Sequence, residues 1–85
     1  MQIVELVIGA KLGNSLDFGR LVGLFEPRLR AWVRRQVRNS HDAEELVQES
    51  FLQAWTAIGG LREPQAFPSW LYAIARSKAM NHLRS

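Results

Sequence analysis

The chain has 85 residues, 47% hydrophobic and 22% charged, with a formal net charge of +3. That length gives one small domain, and that balance excludes a disordered chain. The lack of cysteine excludes a disulfide framework and a thiolate metal site, and no apolar run approaches the ~20 residues that span a bilayer.

Residues 3–12 carry apolar side chains at 3, 4, 6, 7, 8, 10 and 12. This is a short helix or a strand. It is too short, and too interrupted by Glu5, for membrane insertion, and it has no basic start like that of a signal peptide. Gly13-Asn14 ends it, because both residues tolerate the left-handed conformation. Ser15 or Asp17 is the expected cap of the next element.

Residues 17–38 place Phe18, Leu21, Val22, Phe25, Leu29, Trp32, Val33 and Val37 at helical spacing. Pro27 predicts a kink or break near Glu26, since proline removes one ladder bond. The outer face beyond it carries Arg28, Arg30, Arg34, Arg35 and Arg38. After a short connection, Ser40 or Asp42 is the expected cap of a third element over 42–58. Asp42 with Glu45 has the spacing of a capping box.

That third element is the most informative. Ala43, Leu46, Val47, Ser50, Phe51 and Ala54 share one helical face, with Trp55 at its margin. Glu45, Gln48 and Glu49 fall on the opposite face, and Leu52 lies among them. An acceptor-rich stripe with an embedded leucine on the wet side predicts a docking surface.

Residues 59–69 hold two glycines and two prolines, a loop with Leu61 and Phe67 as anchors into the core. Pro64 or Pro68 suits the first turn of the last helix, over 68–84. Its strong face of Phe67, Trp70, Leu71 and Ile74 gives way to Lys78 and Asn81. A weaker apolar line runs through Tyr72, Ala79 and Leu83. A helix that changes face in this way leaves the core or meets another body, and the chain is expected to continue beyond Ser85. The expected fold is all-α, a compact domain of three to four helices packed around Trp32, Trp55 and Trp70.

Charge alternates by segment. Six Arg face two acids over 17–38, four acids stand alone over 42–55, and three Arg with one Lys face Glu63 over 62–84. Neighbouring helices neutralise one another, or different surfaces meet different partners. No nucleophile motif, P-loop or metal motif is present, and His41 and His82 lack a ligand-spaced partner. No catalytic residue, metal, cofactor or small-molecule substrate is therefore expected. Arg62, Arg76, Lys78 and Arg84 with Phe67, Trp70 and Tyr72 instead combine phosphate-binding charge with aromatic faces.

The stretches FGRLVGLFEPRLRAWVRRQV, DAEELVQESFLQAW and FPSWLYAIARSKAMNHLR resemble region 2 of the sigma-70 family, in its extracytoplasmic-function (ECF) group. The resemblance covers 18–84. It implies that Glu45, Gln48, Glu49 and Leu52 dock on the clamp helices of the RNA polymerase β′ subunit. It implies that the loop Gly59, Gly60, Leu61, Arg62, Glu63, Pro64, Gln65, Ala66, Phe67 and Pro68 captures a base flipped from the non-template strand of the −10 element. It also implies promoter contacts by the last helix. Ser77 matches a position that reads the upstream edge of that element, with Arg76, Asn81 and Arg84 as neighbours.

Ser77 stands where many relatives have Asn, Lys78 replaces a commonly apolar residue, and two prolines stiffen the loop. Region 4, the helix-turn-helix that reads the −35 element, has no match in these residues. The implied function is promoter recognition and polymerase binding in the cytoplasm, with an anti-sigma factor as a further partner. The alternatives are a regulatory module of the same fold that binds protein without reading DNA, and a helical adaptor that does not bind polymerase.

Overall fold

The computed structural model describes residues 3–84. Four helices follow in order: α1 (Ile3–Lys11), α2 (Ser15–Gln36), α3 (Ser40–Ala57) and α4 (Phe67–Arg84). Two single 3-10 turns, Ile58–Gly60 and Pro64–Ala66, lie between α3 and α4. The described residues contain no strand, so residues 3–11 take the helical of the two forms their pattern allowed. The expectation that the chain continues beyond Ser85 lies outside the described residues.

Gly13 ends α1 with a φ of +95°, a conformation that costs a residue without Cβ little. The turn is tight enough that α2 starts at once, and its cap is Asn14 rather than Ser15 or Asp17. The Asn14 side-chain oxygen accepts from the N–H of Leu16 at 3.0 Å and of Asp17 at 3.1 Å. Asn39 does the same for α3, accepting from Asp42 N–H at 3.0 Å. Ser40 and Asp42 are therefore inside the helix. Glu45 is three residues beyond the position a capping box requires, which leaves its carboxylate to other uses.

Helix α2 runs through Pro27 without a break. Pro27 and Gly23 both lie on its exposed side. The Gly23 carbonyl that loses its donor can thus be served by water. Where α1 crosses α2, a Cβ on Gly9 would collide with the Asp17 carboxylate, so glycine permits the close approach.

The core differs from the expectation in its centre. Phe67, Leu21, Leu29, Leu71, Val7, Val33 and Val47 are its large, fully buried side chains. Trp32, Trp55 and Trp70 are half-buried at its edges. Leucines, valines and one phenylalanine from four helices interdigitate at the centre, where an indole would leave less room for close helix approach. Phe67 meets Phe25 edge-on, with ring centroids 5.3 Å apart. Full burial of such a side chain contributes about 1.5–3 kcal/mol.

Helix α4 does not leave the core at Lys78. Its inner stripe is Phe67, Leu71, Ala75 and Ala79, all buried. The stripe narrows to alanine, which brings the C-terminal half of α4 close to α3. Pro64 opens the second 3-10 turn and Pro68 sits in the first turn of α4. Leu61 and Phe67 anchor the connection as expected, and α1 packs against both 3-10 turns from behind.

Candidate partner and nucleic-acid interfaces

Helix α3 buries the face its periodicity predicts. Ala43, Leu46, Val47, Ser50, Phe51 and Ala54 all face inward, and the Ser50 hydroxyl is satisfied by donating to the Leu46 carbonyl at 2.7 Å. Trp55 closes the margin against Phe18, at a ring separation of 4.9 Å. Glu45, Gln48 and Glu49 are exposed, and Leu52 presents 66% of its surface to solvent. Leu52 is thus an exposed apolar side chain set within the polar stripe.

The four acids of α3 have different surroundings. Glu44 turns toward α2 and accepts two hydrogen bonds from the Arg30 guanidinium, at 2.5 Å from Nε and 2.9 Å from Nη2. This fork-to-fork pairing is the strong form of a carboxylate–arginine contact. Glu26, one turn before Arg30, pairs with the same guanidinium, and Arg34 lies 3.6 Å from Glu44. The Arg30 hydrogen bonds hold the Glu44 carboxyl below its ordinary value, and the same bonds with Glu44 and Glu26 raise Arg30. Arg30 is thus a strap between α2 and α3, not a member of an outer arginine face. Asp42 lies 3.5 Å from His82, and Glu45 lies 3.7 Å from the exposed His41. Glu49 has no hydrogen-bond or ion-pair partner among the described residues.

The predicted docking residues divide between two sides of one stripe. Gln48 and Leu52 border a groove of about 560 Å³ between α3 and α2, walled by Phe18, Val22, Phe51 and Trp55. Glu45 and Glu49 border a cleft of about 350 Å³ between α3 and α4, with Lys78, Asn81 and His82 opposite. One side offers apolar surface and the other offers charge.

Helix α4 carries no acidic residue. Arg76, Ser77, Asn81 and Arg84 come together, with Ala73 and Met80, around an outer groove of about 310 Å³. Arg84 donates to the Asn81 side-chain oxygen at 2.6 Å. Tyr72 and Arg76 line a second groove of about 320 Å³, with Trp32, Ser69 and Ala73. Tyr72 is half-buried and meets Trp32 edge-on at 6.1 Å. Lys78 is set apart from the other predicted DNA-binding residues, because it faces the acids of α3 across the α3–α4 cleft. In the connection, Gly59, Gly60, Arg62, Glu63 and Gln65 are exposed. Gln65 donates to Glu63 at 3.0 Å. Leu61 and Phe67 point inward, so they hold the loop and do not line its outer surface.

Sequence reasoning did not place Trp32, Ser69, Ala73 and Met80 at these grooves. For Trp32 a signal was present. Arg28 and Arg35 stand four residues before and three after it, and an aromatic between arginines on one helix edge is an unusual use of a core residue.

One small core thus carries an acidic outer face on one helix and a basic outer face on the next. The chain belongs to the sigma-70 family: the family model for Sigma-70 region 2 matches residues 21–85. It is 34% identical to the RNA polymerase sigma-H factor of Pseudomonas aeruginosa over 79 residues, 93% of this chain and 41% of that protein. It is 37% identical to the ECF RNA polymerase sigma-E factor of Salmonella typhimurium over 78 residues, 92% of this chain and 40% of that one. The chain thus spans about two-fifths of the length of these relatives. Among solved structures, an engineered region 2 of sigmaE in complex with GTAAAA superposes with a TM-score of 0.89 at 31% identity, covering 98% of this chain and 86% of that one. No helix among the described residues is long and apolar enough to cross a membrane.

Proposed function

We propose that this domain docks on RNA polymerase through α3 and recognises the promoter −10 element through α4 and the connection before it. The observation that carries the reading is the match, in fold and in sequence, to a region 2 solved with the hexamer GTAAAA. Its companion is the split of charge between α3 and α4. Glu45, Gln48, Glu49 and Leu52 form the polymerase-binding stripe, and its partner is the pair of β′ clamp helices. Carboxylates suit arginine-bearing helices, and Leu52 supplies the apolar centre. Tyr72, Arg76, Ser77, Asn81 and Arg84 hold the non-template strand. Residues 59–68 receive a flipped base, with Arg62 near its phosphate. Lys78 acts from the α3–α4 cleft, where it bridges the two surfaces.

Stacking returns about 1–3 kcal/mol per base, and extrusion costs a few kcal/mol. The domain therefore holds a bubble open and leaves extensive melting to the polymerase. It works in the cytoplasm, contributes no active site of its own, and is controlled by an anti-sigma factor that covers one of its surfaces.

Replacement Glu49→Arg tests the docking half. It is expected to weaken binding to core polymerase about tenfold with the helical spectrum unchanged, since reversing one exposed charge at an interface acts on association more than on fold. Unchanged affinity would remove α3 as the docking helix. Binding of fluorescent single-stranded GTAAAA against a scrambled strand tests the promoter half. Equal affinity for both at every salt concentration would favour a protein-binding module of the same fold.

A further inference from the structure

On one edge of α2 two arginines stand outside both the polymerase stripe and the base-binding helix. Arg28 and Arg35 are exposed, and among the described residues neither has an ion-pair or hydrogen-bond partner. They flank Trp32 by one helical turn on either side, so all three share the edge of α2 that faces α4. Trp32 fixes that orientation through its edge-on contact with Tyr72. The same edge borders the groove lined by Ser69, Tyr72, Ala73 and Arg76. Arg76 also lines the outer groove of α4, with Ser77, Asn81 and Arg84. Arg76 thus shares one groove with the half-exposed Trp32 and Tyr72, and Arg28 and Arg35 stand one helical turn to either side of Trp32.

No carboxylate interrupts this edge from either helix. Helix α4 has no acidic residue. Of the two acids in α2, Glu26 pairs with Arg30 on the opposite edge, and Asp17 lies against Gly9 where α1 crosses. Arginines held in water near one another are mutually repelled, and the arrangement is favourable once a polyanion lies across them. Arg28 and Arg35 are separated by about 10 Å of helix rise, enough to engage successive phosphates of a strand.

We propose that the α2–α4 seam, with Arg28 and Arg35 flanking Trp32 beside Tyr72, binds the sugar–phosphate backbone of DNA next to the bases held by α4. The interaction is sequence-independent, and it extends the footprint of the domain beyond the hexamer. This rests on the reading of α4 as the strand-binding helix. Continuity with that surface, and the aromatic edges between the arginines, favour DNA over an acidic protein segment as the occupant.

The test compares wild type with Arg28→Ala/Arg35→Ala. The probes are the bare hexamer GTAAAA, the same hexamer with mixed-sequence flanks on both sides, and a scrambled strand of the longer length. Affinities are measured over a series of salt concentrations. Each arginine–phosphate pairing removed from a single strand reduces the slope of log K against log salt by about 0.7, so the double variant is expected to show a slope shallower by about 1.4 on both long strands. Affinity for the bare hexamer should be unchanged, and Arg28→Lys/Arg35→Lys should recover most of the slope. An unchanged slope on the long strands overturns the proposal. So does a loss of core-polymerase affinity without a change in DNA binding, which would make the seam a protein-binding surface. Failure of the −10 reading is distinguishable, because it appears in wild type as equal binding of the flanked hexamer and the scrambled strand.

Discussion

Along the edge of α2 that faces α3, Arg30 is held by Glu44 and Glu26, and Arg34 lies 3.6 Å from Glu44. Along the edge that faces α4, Arg28 and Arg35 flank Trp32, and no described carboxylate pairs with either. The same residue type, on the same helix, serves opposite ends. The first edge is internally neutral and joins two helices. The second leaves its charge exposed and unpaired among the described residues. A run of arginine in a sequence therefore holds paired and unpaired members side by side, sorted by the helix that packs beside each.

The largest expected effect falls on both edges together. Phe67→Ala removes the side chain that meets Phe25 of α2 and starts the inner stripe of α4. A fully buried phenylalanine truncated to alanine costs about 3–5 kcal/mol. For a domain of this size, with stability of a few kcal/mol, this is enough to unfold much of the population at 25 °C. Chemical denaturation followed by far-ultraviolet circular dichroism checks it. Retention of the wild-type midpoint would mean that the core is centred elsewhere.

A smaller effect separates the edges. Glu44→Gln removes one partner of the α2–α3 strap and is expected to lower Tm. Arg28→Ala/Arg35→Ala, which breaks no pairing within the domain, is expected to leave Tm unchanged or to raise it slightly through relief of repulsion. Both side chains of the strap remain about one-third exposed, 32% for Arg30 and 35% for Glu44. The loss in Glu44→Gln should therefore be much smaller than that in Phe67→Ala. Equal Tm values for the two variants would erase the distinction between the edges.

The smallest effect is the pH dependence of the strap. Hydrogen bonding from Arg30 lowers the folded-state pKa of Glu44. A lowered carboxyl value adds stability that is fully present above the unfolded value of about 4.3, and is lost as pH falls through the folded value. The Tm difference between wild type and Glu44→Gln should be constant above about pH 5 and close as the solution is acidified below the unfolded value. A difference that widened on acidification would contradict the assignment of Glu44 to the strap.

Much of the fold is legible in the sequence because burial and periodicity are local. The inward face of α3 matches the expected six residues, and the helix of 17–38 and the last helix begin and end within two residues of their expected limits. The caps fall one or more positions before the expected ones, because Asn14 and Asn39 reach the free N–H groups ahead of the serines and aspartates that follow them. The tryptophans lie at the edge and not at the centre, because size is not depth. The length of an indole lets it cover the rim of a core filled by smaller groups. At the candidate interfaces, the exposed stripe of Glu45, Gln48, Glu49 and Leu52 is legible from its angle around one helix. Its division into an apolar side and a charged side is not, since that depends on α2 and α4.

The sequence by itself determined the all-α class, the inward faces, the anchoring of the connection by Leu61 and Phe67, and the family to which the chain belongs. These follow from spacing along one chain and from motifs that are contiguous. Only the tertiary structure decided which charges are satisfied. Arg30 and Glu44 are 14 residues apart and meet because α2 and α3 pack side by side. Lys78 turns toward Glu45 and Glu49 because alanines bring α4 against α3. Trp32 reaches the groove of Tyr72 and Arg76 because α4 lies along that edge of α2. Helical periodicity sets the angle at which a side chain leaves its own axis, and packing sets what stands in its path.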